Sequence, residues 1–176
     1  MDLHKVFEKV HFEKKDSFFV AGIETNIHYN DASGTHSIGD LYARWNGENL
    51  IESIPDQVND QLTYGMTYDN TEDSTAKYMV AVEVSTLDNL PVGFSGRRFN
   101  ACEYAVFDCT LDDETSGRFF RYFFTTFLKE NNLRLPDPVT TKKGATYSRY
   151  PIYEVYDRNF KDVNSKIKLY APIVRE

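Results

Sequence analysis

The chain is expected to fold as an α+β domain made of a duplicated strand-helix-strand-strand unit, with antiparallel sheets, two helices and a central cleft between the halves. Three observations carry that expectation. One order of apolar patterns occurs twice along the sequence, each of the two helical stretches carries a single apolar stripe, and 15% of the residues are aromatic, with 12 Tyr and 13 Phe, as suits a tyrosine-rich sheet core.

The first unit opens on a strand at Phe18-Phe-Val-Ala-Gly-Ile-Glu24. Ile38, Leu41, Tyr42 and Trp45 then follow the i, i+3, i+4, i+7 spacing of an amphipathic helix. Strands follow at Leu62–Tyr68 and Lys77–Val84, and the segment Thr86–Gly96 links the halves. The second unit begins with a strand over Arg98–Cys109, passes the polar turn Asp112–Gly117 and enters a helix striped by Phe120, Phe123, Phe124, Phe127 and Leu128. Thr115 or Ser116 is placed to cap that helix, and Asn131-Asn132 followed by Pro136 to end it. Strands at Tyr150–Asp157 and Lys166–Ile173 complete the unit, giving repeats over about 18–84 and 98–173.

A length of 176 residues fits a single domain over 1–176 with its own core. The formal charge of −7, with no basic run longer than two residues, opposes contact with phosphate backbones, so direct nucleic-acid binding is not expected. No apolar stretch approaches the roughly 20 residues that span a bilayer, and the N-terminus lacks an export pattern, so a cytoplasmic protein with no membrane partner is expected. Cys102 and Cys109 stand an odd number of positions apart in one expected strand, which puts them on opposite faces as unpaired thiols. The four histidines, His4, His11, His28 and His36, show no metal-ligand spacing, and neither a metal nor a cofactor is expected. Gly93-Phe-Ser-Gly96 lacks the spacing of a nucleophile elbow and no His follows His36, so it reads as a turn.

The run Tyr150-Pro-Ile-Tyr-Glu-Val-Tyr-Asp157 singles out a candidate site, because alternation places Ile152, Glu154 and Tyr156 on one face. A carboxylate among apolar and aromatic neighbours is costly unless it is protonated, hydrogen-bonded or matched by a charged partner. A purely structural carboxylate bonded to tyrosines satisfies the same pattern. Glu83, in the alternation Met79, Ala81, Glu83, is a second candidate facing solvent or the cleft.

Val20–Glu24, Leu41–Trp45, Tyr64-Gly65, Tyr78–Val84, Tyr104–Phe107, Tyr153–Tyr156 and Ala171–Ile173, in this order and spacing, resemble the GyrI-like small-molecule-binding domain. That domain, also called the AraC-type effector-binding domain, occurs alone and as the sensing half of BmrR-like multidrug regulators. The resemblance implies a pocket between the halves with Glu154 as its carboxylate. It places Tyr42 and Trp45 on a pocket-lining helix, and Tyr64, Tyr104 and Tyr156 on strands flanking the cleft. With the match beginning near Phe18, a stand-alone sensing module without a DNA-binding domain is expected. The function implied is capture of an amphipathic, cationic or aromatic small molecule. Two alternatives accompany it: hydrolysis of strained electrophilic molecules with Glu154 as general base, and a gyrase-inhibitor-like contact with a protein partner.

Overall fold

The structure, a computed structural model, describes residues 2–29, 33–110, 113–158 and 166–176, with backbone only at 33–36 and 113–115. In chain order it contains α1 (Leu3–Glu8), β1 (His11–Lys15), β2 (Phe18–His28), α2 (Ser33–Gly47), β3 (Leu62–Tyr68), β4 (Thr75–Val84), β5 (Ser95–Phe99), β6 (Cys102–Cys109) and α3 (Asp113–Tyr122). The short strands β7 (Leu133–Arg134), β8 (Pro138–Thr140) and β9 (Thr146–Ser148) precede β10 (Ile152–Asp157) and β11 (Ile167–Arg175). The main sheet runs β1-β6-β11-β10-β3-β4-β2-β5, with β7 added on β11. Read outward from the β10–β3 seam, the two units have the same order, β3-β4-β2 on one side and β10-β11-β6 on the other, all antiparallel. The strand-helix-strand-strand duplication is therefore present in space. The half-sheets are hydrogen-bonded into one sheet through the ladder from Ile152↔Thr67 to Asp157↔Leu62.

The expected strand over Arg98–Cys109 is two strands, because the chain bends at Asn100-Ala101. β5 pairs with β2 at one end of the sheet, while β6 pairs with β1 and β11 at the other. β1 and β2 are likewise separated by Asp16-Ser17 alone. Two residues span no more than about 10 Å even with their flanking bonds, so the opposite ends of the sheet lie close together. The sheet thus curls like a barrel, cornered by a two-stranded ribbon that bends at both links. The N-terminal segment, ahead of the resemblance that begins near Phe18, supplies α1 and the edge strand β1. The latter carries charged residues on both faces, which protects an edge from further pairing.

Curling gives the sheet an inner and an outer face. Inside are Phe18, Val20, Met66, Tyr68, Met79, Tyr104, Val106 and Tyr153, all buried. Outside, α2 covers Ile23, Val80 and Val82 with Leu41 and Trp45. On the other half, α1, α3 and the turn that continues α3 cover Phe107, Leu169 and Ala171 with Phe7, Phe119 and Phe123. Both faces are buried along the central strands, as the near-continuous apolar runs of β2, β4 and β6 require. Cys102 packs on the inner face and Cys109 on the outer, and both thiols are free. Burial pushes Cys102 up to about 11 and Cys109 up to about 12, which leaves little reactive thiolate at pH 8. Ellman's reagent is therefore expected to react slowly with the native protein and rapidly with two thiols per chain in guanidinium. A fast stoichiometric reaction of the native chain would contradict this packing.

The second helix differs from its expected stripe. Phe119, absent from that stripe, is fully buried, as are Phe123 and, nearly so, Phe127. Residues four apart drift around a pure α-helix by about 40° per step. Here α3 passes into a π turn over Phe123–Phe127 before a last turn at Leu128–Glu130, and the wider turn offsets the drift. Phe119, Phe123 and Phe127 consequently share one face. Because the helix begins at Asp113, Ser116 lies within it and does not cap it; Asp112 and the Thr115 side chain lie outside the described residues. Its end is as expected: Asn132 takes φ 53°, and its N–H donates to the carbonyl of Lys129.

Candidate functional site

The site grows from the seam where the two units meet. Glu154 stands on β10 directly opposite Gly65 of β3. Its neighbours Ile152 and Tyr156, two positions away on either side, pack against the outer core under α3. From the other unit, Tyr42 of α2 and Tyr78 of β4 reach the same place, with their hydroxyls 3.1 Å apart. The Tyr42 and Tyr156 rings meet edge to face at 6.2 Å. A side chain at position 65 would fill this space: a Cβ there would lie 2.3 Å from the Tyr42 hydroxyl and 2.5 Å from that of Tyr78. Glycine thus opens a recess in the middle of the sheet for the tips of Tyr42 and Tyr78 and the ring edge of Tyr156.

Glu154 as a residue is partly buried, yet its carboxylate is packed tightly enough for desolvation to dominate. That burial raises its pKa above the ordinary glutamate value, and the hydrogen bond donated by Tyr156 only partly opposes it. The hydroxyls of Tyr42, Tyr78 and Tyr156 are all pushed upward, by burial first. The negative field of Glu154 adds to this in each case. They stay protonated at neutral pH: Tyr156 donates to Glu154, and the Tyr42 and Tyr78 hydroxyls bond each other within its field. Chemically the site offers a desolvated carboxylate, three aromatic faces and no fixed cation among these four side chains. Nearby Arg158 is engaged by Glu52. The open space beside Tyr42, Trp45, Thr63 and Tyr156 is small, about 30 Å³.

Trp45 is 3% exposed and belongs to the core beneath α2, with one edge on this space. Tyr64, Tyr104 and Glu83, expected around the same cleft, lie on the inner face instead. Each strand alternates sides, and Tyr64 immediately precedes Gly65, so it must point away from Glu154. There Glu83 accepts from the Tyr64 hydroxyl at 3.1 Å and from Lys15 Nζ at 3.0 Å. Tyr104 is fully buried against Tyr153, and its hydroxyl has no hydrogen-bond partner among the described residues. Tyr78, which shares its strand face with Val80, Val82 and Val84, is a site residue that the sequence analysis did not single out. The cross-strand register of Tyr64 with Ala81 and Gly65 with Val80 brings it beside the recess. Among the described residues no cluster of three or more His, Cys, Asp or Glu fits a metal ion, and no helix is long and apolar enough to cross a membrane. Gly93, with φ 92°, and the bond from Phe94 N–H to the Pro91 carbonyl make the Gly93-Phe-Ser-Gly96 segment start as a turn.

Residues 11–173 match the Cass2 family, described as integron-associated effector binding protein. The match begins in β1, earlier than the Phe18 start seen in the sequence motifs. Among solved structures, SAV2435 bound to tetraphenylphosphonium superposes with TM-score 0.65 at 14% identity, over 94% of each chain. The integron cassette protein VCH_CASS2 from the mobile metagenome of Vibrio cholerae gives TM-score 0.55 at 14% identity, covering 94% of this chain and 95% of its own. The C-terminal domain of EcmrR gives 0.63 at 9%, covering 96% and 98%. At such identities these likenesses establish the shared fold. No curated protein sequence matches significantly.

Proposed function

The chain belongs to the integron-associated effector binding protein family, and from that premise we propose that it captures amphipathic organic cations at the Glu154 recess between α2 and α3. The observation that carries this reading is the desolvated Glu154 carboxylate ringed by Tyr42, Tyr78 and Tyr156. An ion held in so little solvent attracts an incoming cation far more strongly than a surface carboxylate does. The tyrosine faces add cation-π attraction and apolar contact. Binding of tetraphenylphosphonium by the structural relative SAV2435 is in keeping with that chemistry.

The space beside the recess, about 30 Å³, holds roughly one water, whereas pockets for organic ligands measure roughly 300–1,000 Å³. A ligand must therefore part Tyr42 from Tyr156, which means shifting α2 relative to the α3 side. Trp45 sits on the moving helix and supplies the signal. Titration with tetraphenylphosphonium is expected to change Trp45 fluorescence saturably, while tetraphenylborate, of the same shape and opposite charge, binds at least about tenfold more weakly. Equal affinity for the two ions, or no saturable change with either, overturns the cation reading.

A further inference from the structure

The mouth of the barrel-like interior holds a second cavity, on the opposite side of the sheet from Glu154. It measures about 390 Å³, within the size range of organic-ligand pockets. Its walls are Leu62, Val155 and the rings of Tyr64, Tyr153 and Tyr170. Tyr153 and Tyr170 stack face to face, 4.6 Å between centroids and 5° from parallel, which makes their wall flat as well as apolar. One polar group of that wall is left over. The Tyr64 hydroxyl donates to Glu83 and the Tyr170 hydroxyl to Glu13. Tyr153 is 1% exposed, and no hydrogen bond joins its hydroxyl to any other described residue. Burial keeps this hydroxyl protonated. It stands on the cavity wall as a donor that only solvent or a ligand can satisfy.

The charges around this mouth select neither sign. Lys15, Lys166 and Lys168 stand against Glu13, Glu83 and Asp108. Lys15 is bound to Glu83, and Asp108 sits opposite Lys168 in the β6–β11 register. Glu13, beside His11, accepts from Tyr170. An ionic ligand would give up its hydration here without meeting a net opposite charge. An uncharged one gives up little, and the rings, the aliphatic walls and the Tyr153 hydroxyl are what the cavity offers it.

We infer that this mouth is a second small-molecule site, for uncharged planar aromatic molecules that carry a hydrogen-bond acceptor, such as aryl ketones. The aromatic rings lie among the tyrosines and the carbonyl accepts from the Tyr153 hydroxyl. The site does not depend on Glu154, and a positive charge on the ligand is no advantage there.

The test is calorimetric titration with 2-acetylnaphthalene, an uncharged planar ketone. It is expected to bind wild type and Glu154→Gln alike, and tetraphenylphosphonium should not displace it. Tyr153→Phe keeps the ring and removes the donor. Affinity for the ketone should fall about three- to tenfold there, as for loss of one neutral hydrogen bond. The infrared carbonyl stretch of the bound ketone should also move to higher frequency in that variant. Leu62→Trp, which fills the mouth, should abolish ketone binding and leave phosphonium binding as in wild type. Cooperative thermal melts verify that both variants fold. The charged counterparts, 2-naphthoate and a naphthyltrimethylammonium ion, should bind more weakly than the ketone. The inference is overturned if the ketone fails to bind, if it binds Tyr153→Phe or Leu62→Trp unchanged, if either ion binds more tightly at the same site, or if tetraphenylphosphonium competes for it. Loss of phosphonium binding in Glu154→Gln speaks only to the first site, so the two proposals fail separately.

Discussion

Glu154→Gln is expected to weaken binding of tetraphenylphosphonium on the order of thirtyfold or more, the usual consequence of truncating one charge of a desolvated pair. The same substitution is expected to raise the thermal midpoint of the ligand-free protein at pH 7. Burial lifts the Glu154 pKa above its unfolded value of 4.5, so the folded chain holds this proton more tightly. The stability attached to it is complete below pH 4.5 and is lost as pH rises through the raised folded pKa. Glutamine is neutral throughout and escapes the loss. The variant's advantage should thus be small near pH 4 and grow toward neutrality, while wild-type affinity for the cation rises over the same interval and the variant's stays flat. Thermal melts and cation titrations at several pH values read both. A structural carboxylate held by its tyrosines predicts the opposite: Glu154→Gln would lose stability and leave the cation preference unchanged.

That contrast also shows how much of the site was readable from sequence. Glu154, Ile152 and Tyr156 share a face because strand alternation has a fixed period, and the helix spacing that groups Tyr42 with Trp45 is equally rigid. Which strand faces meet is another matter, since it depends on register across the sheet. Tyr64 and Gly65 are adjacent in sequence yet serve opposite sides, and Glu83 and Tyr104 join Tyr64 inside. With both faces of the sheet buried, apolar patterning could not separate Tyr78 from the valines around it. The bend at Asn100-Ala101 carries no Gly or Pro, and β1 has no apolar alternation, so neither the ribbon nor the curling it produces leaves a local signal. Phe119 was hidden for a related reason: a π turn changes the period on which stripe-reading depends.

Gly65→Ala is the second substitution expected to have a large effect, and it separates the recess from the fold around it. Alanine lowers the conformational cost of a strand position by roughly 0.5–1 kcal/mol. Against this, forcing a methyl into filled space costs typically about 1–3 kcal/mol. Here the new Cβ meets the Tyr42 and Tyr78 hydroxyls at 2.3 and 2.5 Å, the far ends of side chains that can turn aside. The protein should fold with a stability loss of up to about 2 kcal/mol. To clear the methyl the two hydroxyls must turn away from position 65, and so from Glu154 directly across the ladder, which disperses the group to which the cation binds. Phosphonium affinity should consequently fall by at least about tenfold, more than the stability loss alone would suggest. Gly39→Ala on α2 provides the control, since among the described residues a Cβ added there would meet nothing within 4 Å beyond the helix's own backbone. There alanine should stabilise the helix by up to about 1 kcal/mol without entering the recess. If Gly65→Ala binds the phosphonium as wild type does, the ligand does not sit beside Glu154, and the recess is a packing detail of the seam.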